Sequence, residues 1–321
     1  MDFELTEVQR SWREKAQALG RELAEDAAAA DVVMGAARVG LIDPQADLIA
    51  ASLAVEALAC ESAAVGLALA LHTTTLLTFP ADDHFEALAR GETVGALALS
   101  SEDVPAIEDG RLSGRTSWVG PITEHGVAVV GARQRSQVTA CAVALDGHGV
   151  QVTEVETSAL RGFVWAYVTF AGTPCLAAAE TTGVMARART LIAAVALGIA
   201  NRALHESLAV VHRERGAGGE QTVQGLLADT ATELDAARVL TWKAASAGAQ
   251  VSLAAASMAK LAATTAAQAA VVRATQVVGV DSFRRGHVIE RLTQDVRAIE
   301  LFAGRTEALR EAVADEELPR V

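Results

Sequence analysis

The chain has 321 residues, of which 51% are hydrophobic and only 4% aromatic, and a formal net charge of −13. That length exceeds one ordinary compact core and predicts two or three domains. The negative balance argues against nucleic acid, which needs clustered Lys and Arg, and against an anionic membrane surface.

Ala dominates the apolar fraction, and Ala is the strongest helix former, so a mainly helical protein is expected. Thr6 with Gln9 forms a candidate capping box for a helix running to about Ala30. A second helix reads through DLIAASLAVEALACE. The run SAAVGLALALHTTTLLTFPA, residues 62–81, carries no formal charge over 20 positions, the length of a membrane span. It holds His72, three consecutive threonines and Pro80 and leans on Ala, so it is expected to be a buried helix instead. Asp82 or Asp83 can cap a short helix that stops at Gly91.

The character then changes. TVGALALS, RLSGRTSWVG, HGVAVVGAR, VTACAVAL, GVQVTEVE and FVWAYVTF are short, rich in Val and Thr, and separated by Gly, Asp and Pro. They predict a small antiparallel barrel or sandwich. From Val184 the helical period returns in segments 184–213, 221–248, 250–279 and 288–315. Segments of nearly 30 residues span about 45 Å each, and short connections make them an up-down four-helix bundle. In the third, Met258, Leu261, Thr265, Gln268, Val272 and Thr275 form the periodic stripe. The domains are therefore 1–92 (N-terminal helical), 93–180 (middle β) and 181–321 (C-terminal bundle).

Cys60, Cys141 and Cys175 lie far apart without CxxC spacing, so neither a metal site nor a disulfide framework is expected, and a reducing cytoplasm fits. The N-terminal MDFELTEVQRSW is too acidic and polar for a signal peptide. No GxGxxG, GxxxxGK[ST], HExxH or GxSxG is present. GAGG at 216–219 reads as a turn, and His205 with His212 as surface or partly buried residues.

ALSS (98–101), LSGRTSWVG (112–120), LGIANRAL (197–204), QTVQGLLADT (221–230), ARVLTWKAA (237–245), MAKLAA (258–263), QVVG (276–279) and ERLTQDVRAIELFAGRTE (290–307) occur in order. Together they resemble successive landmarks of the acyl-CoA dehydrogenases over nearly the whole chain, in the same domain order. The resemblance implies FAD as cofactor, acyl-CoA as substrate and a tetramer. In that family a glutamate takes the proton next to the thioester carbonyl while a hydride passes to flavin N5. It also implies cofactor contacts at Ser100, Trp118, Arg213, Arg215, Gln276, Gly279 and Gly304.

The family's base does not carry over. Its usual place holds Ala303 in Phe302-Ala303-Gly304-Arg305, and its alternative place, before Arg189, holds Ala188. Glu300 and Glu307, one turn to either side of Ala303, are the possible substitutes. The Gly-Ser-Asp after ALS is missing, Gly120 stands where the family has threonine, and Val280 follows Gly279. The chain thus resembles the short, base-less subunit of actinobacterial heteromeric acyl-CoA dehydrogenases, paired with a second dehydrogenase chain. The alternatives are a self-sufficient flavoenzyme with a non-standard base and a cofactor-free scaffold.

Overall fold

The computed structural model describes residues 4–79, 85–99, 103–213 and 217–318. Five helices open the chain: α1 (Glu7–Glu22), α2 (Ala29–Arg38), α3 (Leu48–Glu61), α4 (Ala63–Thr78) and α5 (Glu86–Ala89). Eight strands follow: β1 (Gly95–Ala98), β2 (Ala106–Glu108), β3 (Arg111–Val119), β4 (Val127–Gln134), β5 (Gln137–Ala144), β6 (Val150–Val155), β7 (Trp165–Pro174) and β8 (Ala177–Glu180). The bundle comprises α6 (Thr181–Arg213), α7 (Gln221–Ala245), α8 (Leu253–Val278), α9 (Val288–Leu301) and α10 (Thr306–Glu317).

The Thr6–Gln9 capping box forms in both directions, but α1 stops at Glu22 instead of running to Ala30. The uncharged run becomes α4, capped by Ser62 and buried from Ala63 to Leu76. Asp82 and Asp83 lie outside the described residues. α6 is long and apolar enough to cross a membrane, yet most of it is buried as the bundle's central helix. Every residue from Ala188 to Ala200 is buried. Small residues permit this density: a Cβ on Gly198 would come within 2.6 Å of the Glu56 carbonyl, and Ala59 is wedged between Gly66 and Gly198.

The sheet order is β6-β7-β3-β2-β4-β5-β8, with β1 added beside β4. The expected antiparallel pairings dominate, but β1 and β2 both run parallel to β4. One apolar cluster runs from Trp12 through the N-terminal helices into α6, α8 and α9, and a second fills the β domain. β1 is seated on α4: Nδ1 of the fully buried His72 accepts the Gly95 N–H at 3.1 Å, and the Thr75 hydroxyl donates to the Ala96 carbonyl at 3.1 Å. Burial pushes the His72 imidazole down to about 4, so it is neutral at physiological pH.

Three sequence expectations need correction. Cys141 on β5 and Cys175 beside β8 are joined as a disulfide with Cα atoms 5.9 Å apart, because strand pairing closes a separation of 34 residues. The stripe read on α8 is its outer face: Thr265 and Val272 are exposed, while the buried side is Ala256, Ala259, Lys260, Ala263, Ala267, Ala270 and Ala274. Ala on every side erased the contrast on which periodicity depends. The last bundle segment, expected to be continuous from 288 to 315, breaks at residues 302–305.

Candidate functional site

That break opens onto a cavity of about 850 Å³ between bundle and β domain. Its walls come from the end of β1 (Leu97, Ala98, Leu99), Trp118 on β3, the loop Thr157–Ala159 and Trp165 on β7. The bundle adds Met185 and Arg189 from α6, residues 301–305 from the break, and Ala308 with Glu311 from α10. A register shift between Thr116 and Val119 marks a bulge in β3, where Trp118 has φ +56° and is 45% exposed. Bulges re-aim side chains beside sites in this way. Trp118 packs edge-on to Trp165 at 5.9 Å, and Trp165 packs on Phe302 at 4.8 Å. In a chain this poor in aromatics, these rings mark the junction of the two domains. The loop is latched to α9, where the buried Asp295 Oδ1 accepts the Leu160 N–H at 2.6 Å.

Two buried cations hold the break. Lys260, fully buried on α8, donates to the carbonyls of Glu300 at 3.0 Å and Gly304 at 2.6 Å. Arg189 Nε donates to the Ala303 carbonyl at 3.0 Å, and Nη1 to the Ser257 hydroxyl at 2.7 Å. The carbonyls at the end of α9, which a helix leaves unsatisfied, are thus capped by positive charge at the negative end of its dipole. Burial pushes the Lys260 amine down to about 7, aided by the Arg189 charge and opposed by Glu300. Burial also lowers Arg189, to about 10, which leaves it a cation.

The residues singled out in the sequence fall into three groups. Ala303, Gly304 and Trp118 line the cavity. Ala303 has φ +57° and Gly304 φ +112°. A Cβ on Gly304 would lie 2.7 Å from Arg189 Nη2, so this glycine is required by the chain's own guanidinium. Ala188 is buried one residue before Arg189. Glu300 is committed elsewhere: Oε2 accepts from Gln268 at 2.6 Å and Arg297 at 3.1 Å, and Oε1 accepts from Thr306 at 3.1 Å. Glu307 is exposed beside Arg305. Arg213, Gln276 and Gly279 are at the opposite end of the bundle, and Arg213 is about 36 Å along α6 from Arg189 at 1.5 Å per residue. Ser100 and Arg215 lie outside the described residues.

Sequence reading missed Lys260, Trp165, Met185 and Glu311. Lys260 left one signal, a lone charge in the Ala-rich stretch AASMAKLAATTAA. Gly120 also gains a reason: a Cβ there would come within 2.4 Å of the Phe163 ring, which has taken the space a threonine needs. The cavity's size is ordinary for a cofactor pocket. Its half-exposed Trp118 face suits a flat ring system, and the Arg305 guanidinium on its wall suits an anionic tail. The residues present therefore fit a flavin nucleotide: Trp118 would hold the ring and Arg305 the phosphates.

Residues 177–318 match the family model described as acyl-CoA dehydrogenase, C-terminal domain. A 3-sulfinopropanoyl-CoA desulfinase from Paraburkholderia xenovorans (strain LB400) is 34% identical over 127 residues, covering 38% of this chain and 33% of that protein. A cyclohexane-1-carbonyl-CoA dehydrogenase from Geobacter metallireducens is 35% identical over 135 residues, covering 40% of this chain and 35% of that protein. The match thus spans about a third of the length of these curated relatives. Among solved structures, a glutaryl-CoA dehydrogenase from Mycobacterium smegmatis in complex with FADH2 superimposes with a TM-score of 0.87 at 15% identity, covering 98% of this chain and 96% of that one. The chain therefore has the acyl-CoA dehydrogenase fold, and its bundle, residues 177–318, matches the acyl-CoA dehydrogenase C-terminal domain.

Proposed function

We propose that this chain is an acyl-CoA-binding subunit of an FAD-dependent acyl-CoA dehydrogenase in which a second, unlike chain supplies the base. The carrying observation is Ala303 on the cavity wall and buried Ala188 beside Arg189. A methyl group accepts no proton, and a thioester's α-hydrogen leaves only to a positioned base. Of the two substitutes considered, Glu300 is engaged by Gln268, Arg297 and Thr306, and Glu307 is not among the cavity-lining residues. When bound, FAD supplies hydride acceptance. The chain's own residues shape the crevice: Trp118 and Trp165 wall it, and Lys260 with Arg189 fixes the turn beneath it.

An assembly is supported by the opposite end of the bundle. Arg213, Gln276 and Gly279 are too far from this chain's cavity to serve it, and they fit a neighbour's cofactor instead. Val272, Val280 and Phe283 leave apolar side chains in solvent where a subunit would cover them. We place this assembly, a hetero-tetramer, in the cytoplasm. Co-expression with an acyl-CoA dehydrogenase encoded beside it should yield a mixed complex absorbing near 450 nm. A stable, colourless homo-oligomer indifferent to every such partner sinks the reading.

One observation favours a second reading. The desulfinase relative is named for breaking a carbon–sulfur bond, not for removing hydrogen. Replacing a sulfinate by hydrogen consumes water and releases sulfite, and calls for no abstraction of a carbon-bound proton. Release of sulfite from 3-sulfinopropanoyl-CoA by the isolated chain selects this reading. A cofactor-free scaffold is disfavoured, because the cavity is open and Val280, one candidate to fill it, is 83% exposed at the other end of the bundle.

A further inference from the structure

The β domain passes into the bundle without a linker, since β8 ends at Glu180 and α6 begins at Thr181. β8 is an edge strand of three alanines and a glutamate, none of them buried, so side-chain packing holds it weakly. Its grip on β5 is backbone pairing, from Thr139 with Glu180 to Ala142 with Ala177. The Thr181 hydroxyl adds a bond to the Val138 carbonyl at 2.9 Å. The Glu180 carboxylate then starts α6, accepting the Thr182 N–H at 3.2 Å and the Gly183 N–H at 3.0 Å. Met185, on the cavity wall, follows directly. A slip of β8 along β5 therefore moves the start of α6 and the cavity with it.

The Cys141–Cys175 pair sits across this weak strand. Cys141 is fully buried in the β-domain core, whereas Cys175 is half-buried and reachable from outside. As thiols, both have acceptors in place: Cys175 Sγ is 3.2 Å from the Ala177 carbonyl and Cys141 Sγ 3.7 Å from the Ala142 carbonyl. Neither form strands a polar group, so the pair can exist joined or open without repacking. An accessible cysteine beside a buried resolving one is the arrangement of thiol redox sensors. Disulfides of cytosolic proteins are usually transient and redox-sensing. Cys60 lies apart on α3, where burial and Glu61 push its thiol up to about 11 and keep it protonated.

We propose that Cys141 and Cys175 form a reversible thiol–disulfide clasp that sets how firmly β8, and through it the start of α6 on the cavity wall, is held to the β domain. The clasp stands independently of the acyl-CoA reading. Closure by hydrogen peroxide balances in two steps. The Cys175 thiolate attacks one peroxide oxygen, an S–O bond forms as O–O breaks, and the departing hydroxide takes a proton to become water. The Cys141 sulfur then attacks the Cys175 sulfenic sulfur, S–S forms as S–O breaks, and the second hydroxide leaves as water with the Cys141 proton. Two thiols lose two electrons and the peroxide gains them. A dithiol reductant reverses this by exchange at Cys175, the accessible sulfur.

The test compares the purified full chain after dithiothreitol and after hydrogen peroxide. Maleimide labelling under denaturing conditions should count three thiols in the reduced form and one, Cys60, in the oxidised form. Trypsin should then release the segments 136–161 and 162–187 as one disulfide-linked species. Hydrogen exchange of residues 176–185 should be at least tenfold slower in the oxidised form, with α8 unchanged as the control. Cys175→Ser should exchange at the reduced rate with or without peroxide, and the wild-type comparison decides even if this variant does not fold. Three free thiols after peroxide, a link that involves Cys60, or equal exchange in the two forms overturns the clasp.

Discussion

The two ends of the bundle differ in what they leave unsatisfied. At the cavity end, the chain's own cations cap the carbonyls of a broken helix, and the turn is locked by two left-handed residues. At the opposite end, Gly279 has open space where a side chain would be, Val280 is 83% exposed and Phe283 is 74% exposed. One end is complete within a single chain, whereas the other leaves apolar side chains in solvent, where the proposed neighbouring subunit would sit. Substitutions at the first should therefore cost stability, and substitutions at the second should cost assembly.

The largest effect is expected at the turn. Gly304→Val forces a side chain into φ +112° and against Arg189, and should destabilise the fold by about 3 kcal/mol or more in denaturant titration. A loss below about 1 kcal/mol breaks the idea that this turn is locked. Next, Lys260→Met leaves two carbonyls without donors and should cost about 2 kcal/mol. Its pH dependence sharpens the point. Folded Lys260 loses its proton near pH 7, whereas the unfolded side chain keeps it to about 10.5. Between those values the unfolded state binds the extra proton, so wild-type stability gains from this group as pH rises. The gap between wild type and Lys260→Met should accordingly widen from pH 7 to pH 10. A constant gap would show that the amine is not desolvated.

A smaller effect is expected at the latch. Asp295→Ala removes the acceptor for the Leu160 N–H and should cost about 1–2 kcal/mol, with a change in Trp fluorescence as the loop leaves Trp165. The smallest effect on monomer stability, under about 0.5 kcal/mol, is expected for Val280→Ser with Phe283→Ser at the exposed end. The same pair should weaken subunit association by analytical ultracentrifugation. If it instead unfolds the monomer and leaves assembly untouched, the contrast between the two ends is wrong.

Sequence alone determined the local features, each set by neighbours within a few residues. The Thr6–Gln9 box, the strand-rich middle, the buried uncharged helix and the bundle segments are of this kind. The order of family landmarks pointed to the acyl-CoA dehydrogenase fold, and the alanines at 188 and 303 were legible as residues that cannot take a proton. Only the tertiary structure decided which face of Ala-rich α8 is buried, because alanine on all sides carries no periodic contrast. Pairing of β5 with β8 joined Cys141 to Cys175 across 34 residues. The break between α9 and α10 depends on Lys260 and Arg189, which arrive from other helices more than 40 positions away in sequence. Unsatisfied carbonyls at a helix end do not specify their donors in sequence, and only packing brings those cations to them.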